Sequence, residues 1–143
     1  KEGEQLREDL ISKLDGMLGY VDFIEEKSPL IMQDYRTRLE DKIREVLGNH
    51  ELDDARIATE VTIYADKICV DEETVRLRSH IKSTKDTLLS GGGIGRKLDF
   101  IAQEMNREAN TILSNANNLE ISDIGINLKT DIEKVREQIQ NIE

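Results

Sequence analysis

Three side chains have the types and the helical spacing that acid–base chemistry at a phosphodiester requires. Glu73, Arg76 and His80 follow one another at steps of three and four residues, so they share one face of a helix. A carboxylate, a guanidinium and an imidazole on one face can transfer protons and stabilise developing negative charge. The same residues can equally form a salt-bridged surface, and spacing alone leaves both interpretations open.

A second group of charged residues lies further along the chain. Glu104 and Glu108 are one helical turn apart, with Arg107 beside them. Two carboxylates at that spacing can share a hard divalent cation such as Mg²⁺ or Mn²⁺. Pairs of glutamates at this spacing also arise by chance in an acidic helical protein. The pattern therefore gives a metal-site hypothesis with a surface-charge alternative.

The helix that carries this second group is unusually rich in amides. One stripe consists of Asp99, Gln103, Asn106 and Asn110. Amides are poorer helix formers than Ala, Leu, Glu or Lys. They donate and accept hydrogen bonds without net charge, which suits a helix that engages both neighbouring helices and a polyanion.

Basic residues are concentrated between Thr74 and Lys97, although the chain of 143 residues has a net charge of −10. That window contains a single acidic residue, Asp86, and the basic residues Arg76, Arg78, Lys82, Lys85, Arg96 and Lys97. The clustering favours a local phosphate-binding stripe, with a solvated helix face as the alternative. The glycines from Gly91 to Gly95 lead into a helix and can approach a phosphate, or simply form a flexible turn.

The composition predicts an all-α fold. Charged residues make up 35% of the chain and aromatic residues 3%, which is typical of long amphipathic helices rather than sheets. The single cysteine, Cys69, excludes an intrachain disulfide, and a reduced cytoplasmic location is expected. No apolar run approaches the roughly 20 residues that span a bilayer. Because the chain begins without Met, we expect it to be a fragment.

The apolar periodicity predicts six amphipathic helices that form long hairpins or arms, of which the first and last project. The first helix carries the seam Leu6, Leu10, Leu14, Met17, Val21 and Ile24. Ser28 and Pro29 are predicted to start the second helix, Gly48 to end it, and Asp53 or Asp54 to cap the third. Asp71 is predicted to cap the fourth helix, with Val70 packed on Val75, and Gly91 to Gly93 are predicted to end it. The fifth helix begins near Gly95, and Ser122 caps the sixth, whose inward residues are Ile126 or Leu128, Ile132, Val135 and Ile139.

The seam of the first helix needs an apolar partner, within the chain or on another copy. Leaving it in water would forfeit several kcal/mol at about 25 cal/mol per Å² of apolar area. We therefore expect self-association into a homo-oligomeric helical bundle.

Several motifs together resemble the C-terminal domain of the YicC/YloC endoribonuclease family. They are GRKLDFIAQEMNREANT at Gly95–Thr111, the EE..RL.SH core within Glu60–His80, the opening EGEQL and the terminal REQIQNIE. The resemblance covers nearly all of residues 1–143, which are accordingly taken as one helical C-terminal domain. Cys69 departs from the family pattern, in which an Asp is usual at this position.

The resemblance implies a bacterial, cytoplasmic, metal-dependent endoribonuclease that acts on RNA with Mn²⁺ or Mg²⁺. Such proteins form homo-oligomers, with hexameric rings expected, and carry an N-terminal domain that this chain lacks. They are also described as stress-induced proteins. Nothing implies a membrane association or a specificity for DNA.

The chemistry of particular side chains predicts their roles in such an enzyme. The fourth and fifth predicted helices are expected to form one wall of an RNA channel. Predicted catalytic residues are His80, Glu73, Arg76 and Arg107. Predicted RNA-binding residues are Arg96, Lys97, Arg78, Phe100, Asn106 and Asn110, and predicted metal ligands are Glu104, Glu108 and Glu73. The alternative is a non-catalytic oligomerisation module or ribonuclease adaptor.

Overall fold

Every element that the structure describes is an α-helix. The computed structural model describes residues 2–48, 53–91 and 95–142, and within these ranges there is no strand. The all-α prediction is therefore confirmed, with five helices rather than six. They are α1 (Glu2–Leu47), α2 (Asp54–Ile68), α3 (Asp71–Ser90), α4 (Gly95–Asn115) and α5 (Leu119–Ile142).

The missing boundary is the one predicted at Ser28 and Pro29, because α1 is a single helix of 46 residues that contains the proline. Proline removes one backbone hydrogen bond from a helix interior but does not have to end the helix. The hydroxyl of Ser28 donates to the carbonyl of Ile24 at 2.7 Å, so Ser28 does not act as a cap. Ile24 and Ile31 are buried on either side of the proline. The burial of Ile24 and Ile31 therefore keeps α1 continuous, although Ser28 and Pro29 are residues that often begin a helix.

The predicted ends of α1, α2 and α3 agree with the structure where turn chemistry decides them. Gly48 ends α1 with a φ of 70°, and Gly91 follows α3 with a φ of 73°. A positive φ is a conformation that glycine adopts without steric cost. Asp53 caps α2, because its carboxylate accepts a hydrogen bond from the backbone N–H of Arg56 at 3.1 Å.

Two predicted caps were wrong. Asp71 is the first residue of α3 rather than its cap, and Val70 takes the cap position while its side chain is buried in the core. Val75 is exposed, so the predicted contact between Val70 and Val75 does not form. The side chain of Val70 therefore packs in the core instead of against Val75 on the helix surface.

The second wrong cap lies at the start of α5. The carboxamide oxygen of Asn118 accepts from the backbone N–H of Ile121 at 3.1 Å, so α5 begins before Ser122. Asparagine and serine are comparably good caps, and the helix takes the earlier one. Of the two inward candidates, Leu128 is buried and Ile126 is exposed.

Four helices enclose the core. The N-terminal half of α1 packs against α3 and α5, and α4 packs against the same two helices on the opposite side. Helices that follow one another in the bundle are antiparallel. Because α1 and α4 each pack mainly against α3 and α5, they lie diagonally across the bundle. The seam of the first helix is fully buried inside it, namely Leu10, Leu14, Met17, Val21 and Ile24. Its apolar partner is therefore within the chain, and the seam no longer argues for a second copy.

The C-terminal half of α1 and α2 form a two-helix arm beside the bundle. The rings of Tyr35 and Tyr64 stack between them, with centroids 3.8 Å apart and planes at 7°. The hydroxyl of Tyr64 accepts from the amide of Asn117 at 2.6 Å, which ties the arm to the turn before α5. The expectation of arms is thus met by α1, whereas α5 lies along the bundle and does not project.

None of the helices in the described ranges has the length and apolar character to cross a membrane.

Glycine substitutions in α1 and α5 should have opposite effects on stability. A Cβ at the exposed Gly16 would meet no atom within 4 Å, whereas one at the buried Gly125 would lie 2.8 Å from Cδ2 of Leu113. We expect Gly16→Ala to raise the free energy of unfolding by about 0.5–1 kcal/mol. Gly125→Ala should lower it by about 1–3 kcal/mol, since overpacking outweighs helix propensity. Urea unfolding followed by circular dichroism measures both, and a similar gain at the two positions would contradict this packing.

Candidate functional site

Arg76 joins the two predicted charged groups across the α3–α4 interface. Its Nε donates to Oε2 of Glu108 at 2.9 Å. Its two Nη atoms reach Oε2 of Glu73 at 3.1 Å and Oε2 of Glu72 at 3.5 Å. One guanidinium therefore holds three carboxylates from two helices. The faces that carry the predicted residues lie side by side.

Glu108 is the buried member of this group, at 4% exposure. A carboxylate taken out of water is costly unless it is paired and hydrogen-bonded. Arg76 supplies that pairing, and the hydrogen bond to Glu108 is the main reason that the pKa of Arg76 is raised. The sequence held a signal for this burial, because Ile101, Met105 and Ile112 share the inward face of α4 with Glu108.

His80 and Glu104 lie one turn along from the Arg76–Glu108 contact. His80 is one turn after Arg76, and Glu104 is one turn before Glu108. Since α3 and α4 are antiparallel, both residues lie at about the same level of the bundle. His80 is half-buried, and no described side chain hydrogen-bonds to its imidazole. Glu104 pairs loosely with Arg107, whose Nη2 is 3.7 Å from Oε2 of Glu104. In the described residues, His80 therefore has an imidazole without a side-chain hydrogen bond, and Glu104 has a weakly paired carboxylate.

A mixed polar and cationic surface covers the side of α4 that faces away from the core. We call it the α4 outer face. Its side chains border an open groove of about 410 Å³, and two cations at the start of the helix, Arg96 and Lys97, have no partner among the described residues. Its residues are Arg96, Lys97, Phe100, Gln103, Asn106, Arg107, Asn110, Thr111 and Ser114.

The amide stripe of α4 lies partly in the interface between α4 and α5. Asp99 accepts from Nε2 of Gln103 and from Nε of Arg136, each at 3.0 Å, which links α4 to α5. Asn106 has a buried Oδ1 without a hydrogen-bond partner, a property it shares with only Gln138 among the described residues. A buried acceptor without a donor is rare in folded proteins and needs an explanation. The stripe therefore joins α4 to α5 through Asp99, and at Asn106 it contains a buried acceptor without a partner in the described residues.

Arg78, a predicted RNA-binding residue, lies away from this surface. Two residues along a helix turn the side chain by about 200°, so Arg78 faces α1 while Arg76 faces α4. Its Nη2 bonds to Oε1 of Glu25 at 2.6 Å and also contacts Asp22. Lys85 likewise bonds to Asp15 of α1 at 2.5 Å. The basic window Thr74–Lys97 therefore does not form a single stripe, because Arg78 and Lys85 face α1.

The predicted metal ligands do not form a set within one chain. Residues 2–48, 53–91 and 95–142 contain no group of three or more His, Cys, Asp or Glu side chains that could hold a metal ion. Glu73 and Glu108 instead share the guanidinium of Arg76. These carboxylates therefore fit an arginine counter-ion better than a divalent cation.

The predicted phosphate contact of the glycine turn falls largely outside the part of the chain that the structure describes, since residues 92–94 are not among it.

Comparison with known proteins gives the family context of this site. The model of the endoribonuclease YicC-like C-terminal domain matches residues 24–143. The chain belongs to the YicC-like family. It is 44% identical to the probable endoribonuclease YicC of Clostridioides difficile (strain 630) and 40% identical to that of Haemophilus influenzae. Both alignments cover all of this chain and 49% of the relative, so the chain spans about half the length of these proteins.

Removing Arg76 should destabilise the fold because Glu108 would be left buried without a counter-ion. We expect Arg76→Ala to lower the thermal midpoint clearly, and Arg107→Ala, which removes a 73% exposed side chain, to change it little. Adding Glu108→Gln to Arg76→Ala should restore part of the loss, because the buried group is then neutral. Thermal unfolding by circular dichroism tests this, and equal midpoints for the two arginine variants would contradict the proposed pairing.

The Arg78–Glu25 contact should make stability depend on acidic pH. The hydrogen bond from Arg78 lowers the pKa of Glu25 from its usual 4.5. The contact therefore stabilises the fold above the unfolded-state pKa and is lost as pH falls through the lower folded-state pKa. Urea unfolding over a pH series should show Glu25→Gln less stable than the parent at neutral pH, with the difference vanishing in acid. Glu26→Gln, at an exposed neighbour, is the control; a constant difference for Glu25→Gln would contradict the linkage.

Proposed function

We propose that this chain is the helical, RNA-contacting part of an endoribonuclease that cleaves phosphodiester bonds. Membership of the YicC-like family and two relatives named as probable endoribonucleases support the reaction class. The observation that carries the proposal is the Arg76–Glu108 hydrogen bond. Because this bond joins α3 to α4, it supports a single RNA-contacting surface that includes the imidazole of His80 and the cations of the α4 outer face.

RNA is proposed to lie along the α4 outer face, with its phosphates on Arg96, Lys97 and Arg107. Arg96 and Lys97 have no described ion pair, and Arg107 is 73% exposed beside a loosely paired Glu104. In a chain with a net charge of −10, such unpaired cations make a polyanion's approach to this face more favourable than elsewhere. Binding through phosphates would weaken as salt is added.

Proton transfer at the scissile phosphodiester is assigned to His80. A half-buried imidazole without a side-chain partner can accept a proton from the attacking hydroxyl or donate one to the leaving oxygen. Arg107 would stabilise the charge that develops on the phosphoryl oxygens. Arg76 and Glu73, which were also predicted to be catalytic, are engaged with Glu108 and would position the site by holding α3 against α4.

Dependence on Mn²⁺ or Mg²⁺ stays a prediction of the family resemblance. The three predicted carboxylate ligands do not assemble in one chain, so none of the steps above runs through a metal ion. Glu104 is the predicted ligand that Arg76 does not engage.

A second candidate function is a non-catalytic oligomerisation module or ribonuclease adaptor. The observation that favours it is the complete pairing of Arg76 with three carboxylates, which is typical of a structural ion-pair network. In that case His80 would have no effect on RNA cleavage. Assembly into a homo-oligomer, including a hexamer, and a cytoplasmic location are part of both candidates and stay predictions.

An RNA cleavage assay on the full-length protein distinguishes the two candidates. We expect His80→Ala to lower the cleavage rate by about 10²-fold or more, the usual contribution of a general acid or base. Lys82→Ala is the matched control, since Lys82 lies on another face of α3 and pairs only with Asp86. Reactions with Mn²⁺, Mg²⁺ or EDTA, alongside Glu104→Gln, measure the metal dependence.

An unchanged rate in folded His80→Ala would reject the assignment of His80 and favour the adaptor. Cleavage that survives both EDTA and Glu104→Gln would reject a metal site that includes Glu104.

A further inference from the structure

Phe100 is an aromatic ring that the fold leaves open. It lies on the α4 outer face and is 63% exposed. The four other aromatic side chains are engaged: Tyr35 and Tyr64 stack on each other, and Tyr20 and Phe23 pack against the core. Tyr64, the other side chain considered for base stacking, is therefore not available, because one face of its ring is covered and its hydroxyl is bonded to Asn117.

Cations lie on both sides of this ring along the helix axis. Arg96 precedes Phe100 by one turn and Arg107 follows it by two. At 1.5 Å per residue, these separations are about 6 Å and about 10 Å. The three side chains share one face of α4, so a short extended strand could run past the ring while both arginines reach its backbone.

Hydrogen-bonding groups continue the same line. The groove beyond Phe100 is lined by Gln103, Asn106, Arg107, Asn110, Thr111 and Ser114. The exposed amides among them are Gln103 and Asn110. Such amides can accept from a ribose 2′-hydroxyl and can donate to or accept from a base edge.

We propose that the α4 outer face binds unpaired ribonucleotides, with one base stacked on Phe100. This inference deepens the proposed function, on which it rests, by naming single-stranded RNA as the substrate class. Arg96 and Arg107 hold the phosphates on either side, and the amides of the groove contact the sugar or the base edge. A duplex does not fit this arrangement, because its base faces are covered by neighbouring pairs and only its edges and backbone are accessible.

Binding measurements on the full-length protein in EDTA test this inference. Fluorescence anisotropy compares a labelled oligoribonucleotide without self-complementarity with the blunt duplex of the same sequence. The single strand should bind more tightly. Phe100→Leu should weaken its binding by about tenfold or more, the effect of losing one stacked base. Phe100→Trp should retain binding, because it preserves an aromatic face, and Leu89→Ala controls for the loss of an exposed apolar side chain.

A second measurement distinguishes failure of this inference from failure of the proposed function. Arg96→Gln should reduce the salt dependence of binding by about one phosphate contact. If Arg96→Gln has this effect while Phe100→Leu binds like the parent, the stacking role is overturned and the RNA surface stands. Binding of the duplex as tightly as the single strand would also overturn it. If no variant of the α4 outer face changes RNA binding or cleavage, both proposals fail.

Discussion

A carboxylate that leaves water must keep a counter-ion, and in this bundle the requirement falls on Glu108. The residue lies on the inward face of α4, and its partner Arg76 comes from α3, 32 positions earlier in the chain. The contact therefore fixes the level at which the two helices meet. Once that level is set, His80 on α3 and Glu104 on α4 come to about the same level of the bundle. The candidate site follows from satisfying one buried charge.

The distribution of acidic partners decides which cations are open to a ligand. Arg78 and Lys85 meet acidic side chains of α1, and Arg76 meets those of α3 and α4. At the start of α4 the described neighbours provide no such partner for Arg96 and Lys97. A strongly acidic protein can thus present a local cationic surface without a large excess of basic residues there. This arrangement agrees with binding a polyanion at one place rather than over the whole molecule.

Periodicity and turn chemistry were sufficient for much of the fold. Steps of three and four residues located the buried seam of α1, and Gly48, Asp53 and Gly91 located helix ends, because these signals act within a few residues. The signal at Pro29 failed because packing of Ile24 and Ile31 decided the outcome.

The site itself was only partly predictable. Spacing identified the faces that contain His80 and Glu104, but the partner of Arg76 depends on which helices become neighbours. The basic window Thr74–Lys97 also grouped Arg78 with Arg76, although a turn of about 200° separates their side chains. By contrast, the burial of Glu108 could have been found, since it continues the apolar spacing of α4.

The unbroken course of α1 has a mechanical consequence. A helix of 46 residues is about 69 Å long, and one half is clamped in the core while the other extends into the arm. Because no joint separates the halves, a force applied near the arm's tip acts as a torque on the clamped part. Asp22 and Glu25 lie on the clamped part of α1 and pair with Arg78 of α3. A molecule that grasps the arm could therefore influence α3 from a distance, through leverage rather than through contact.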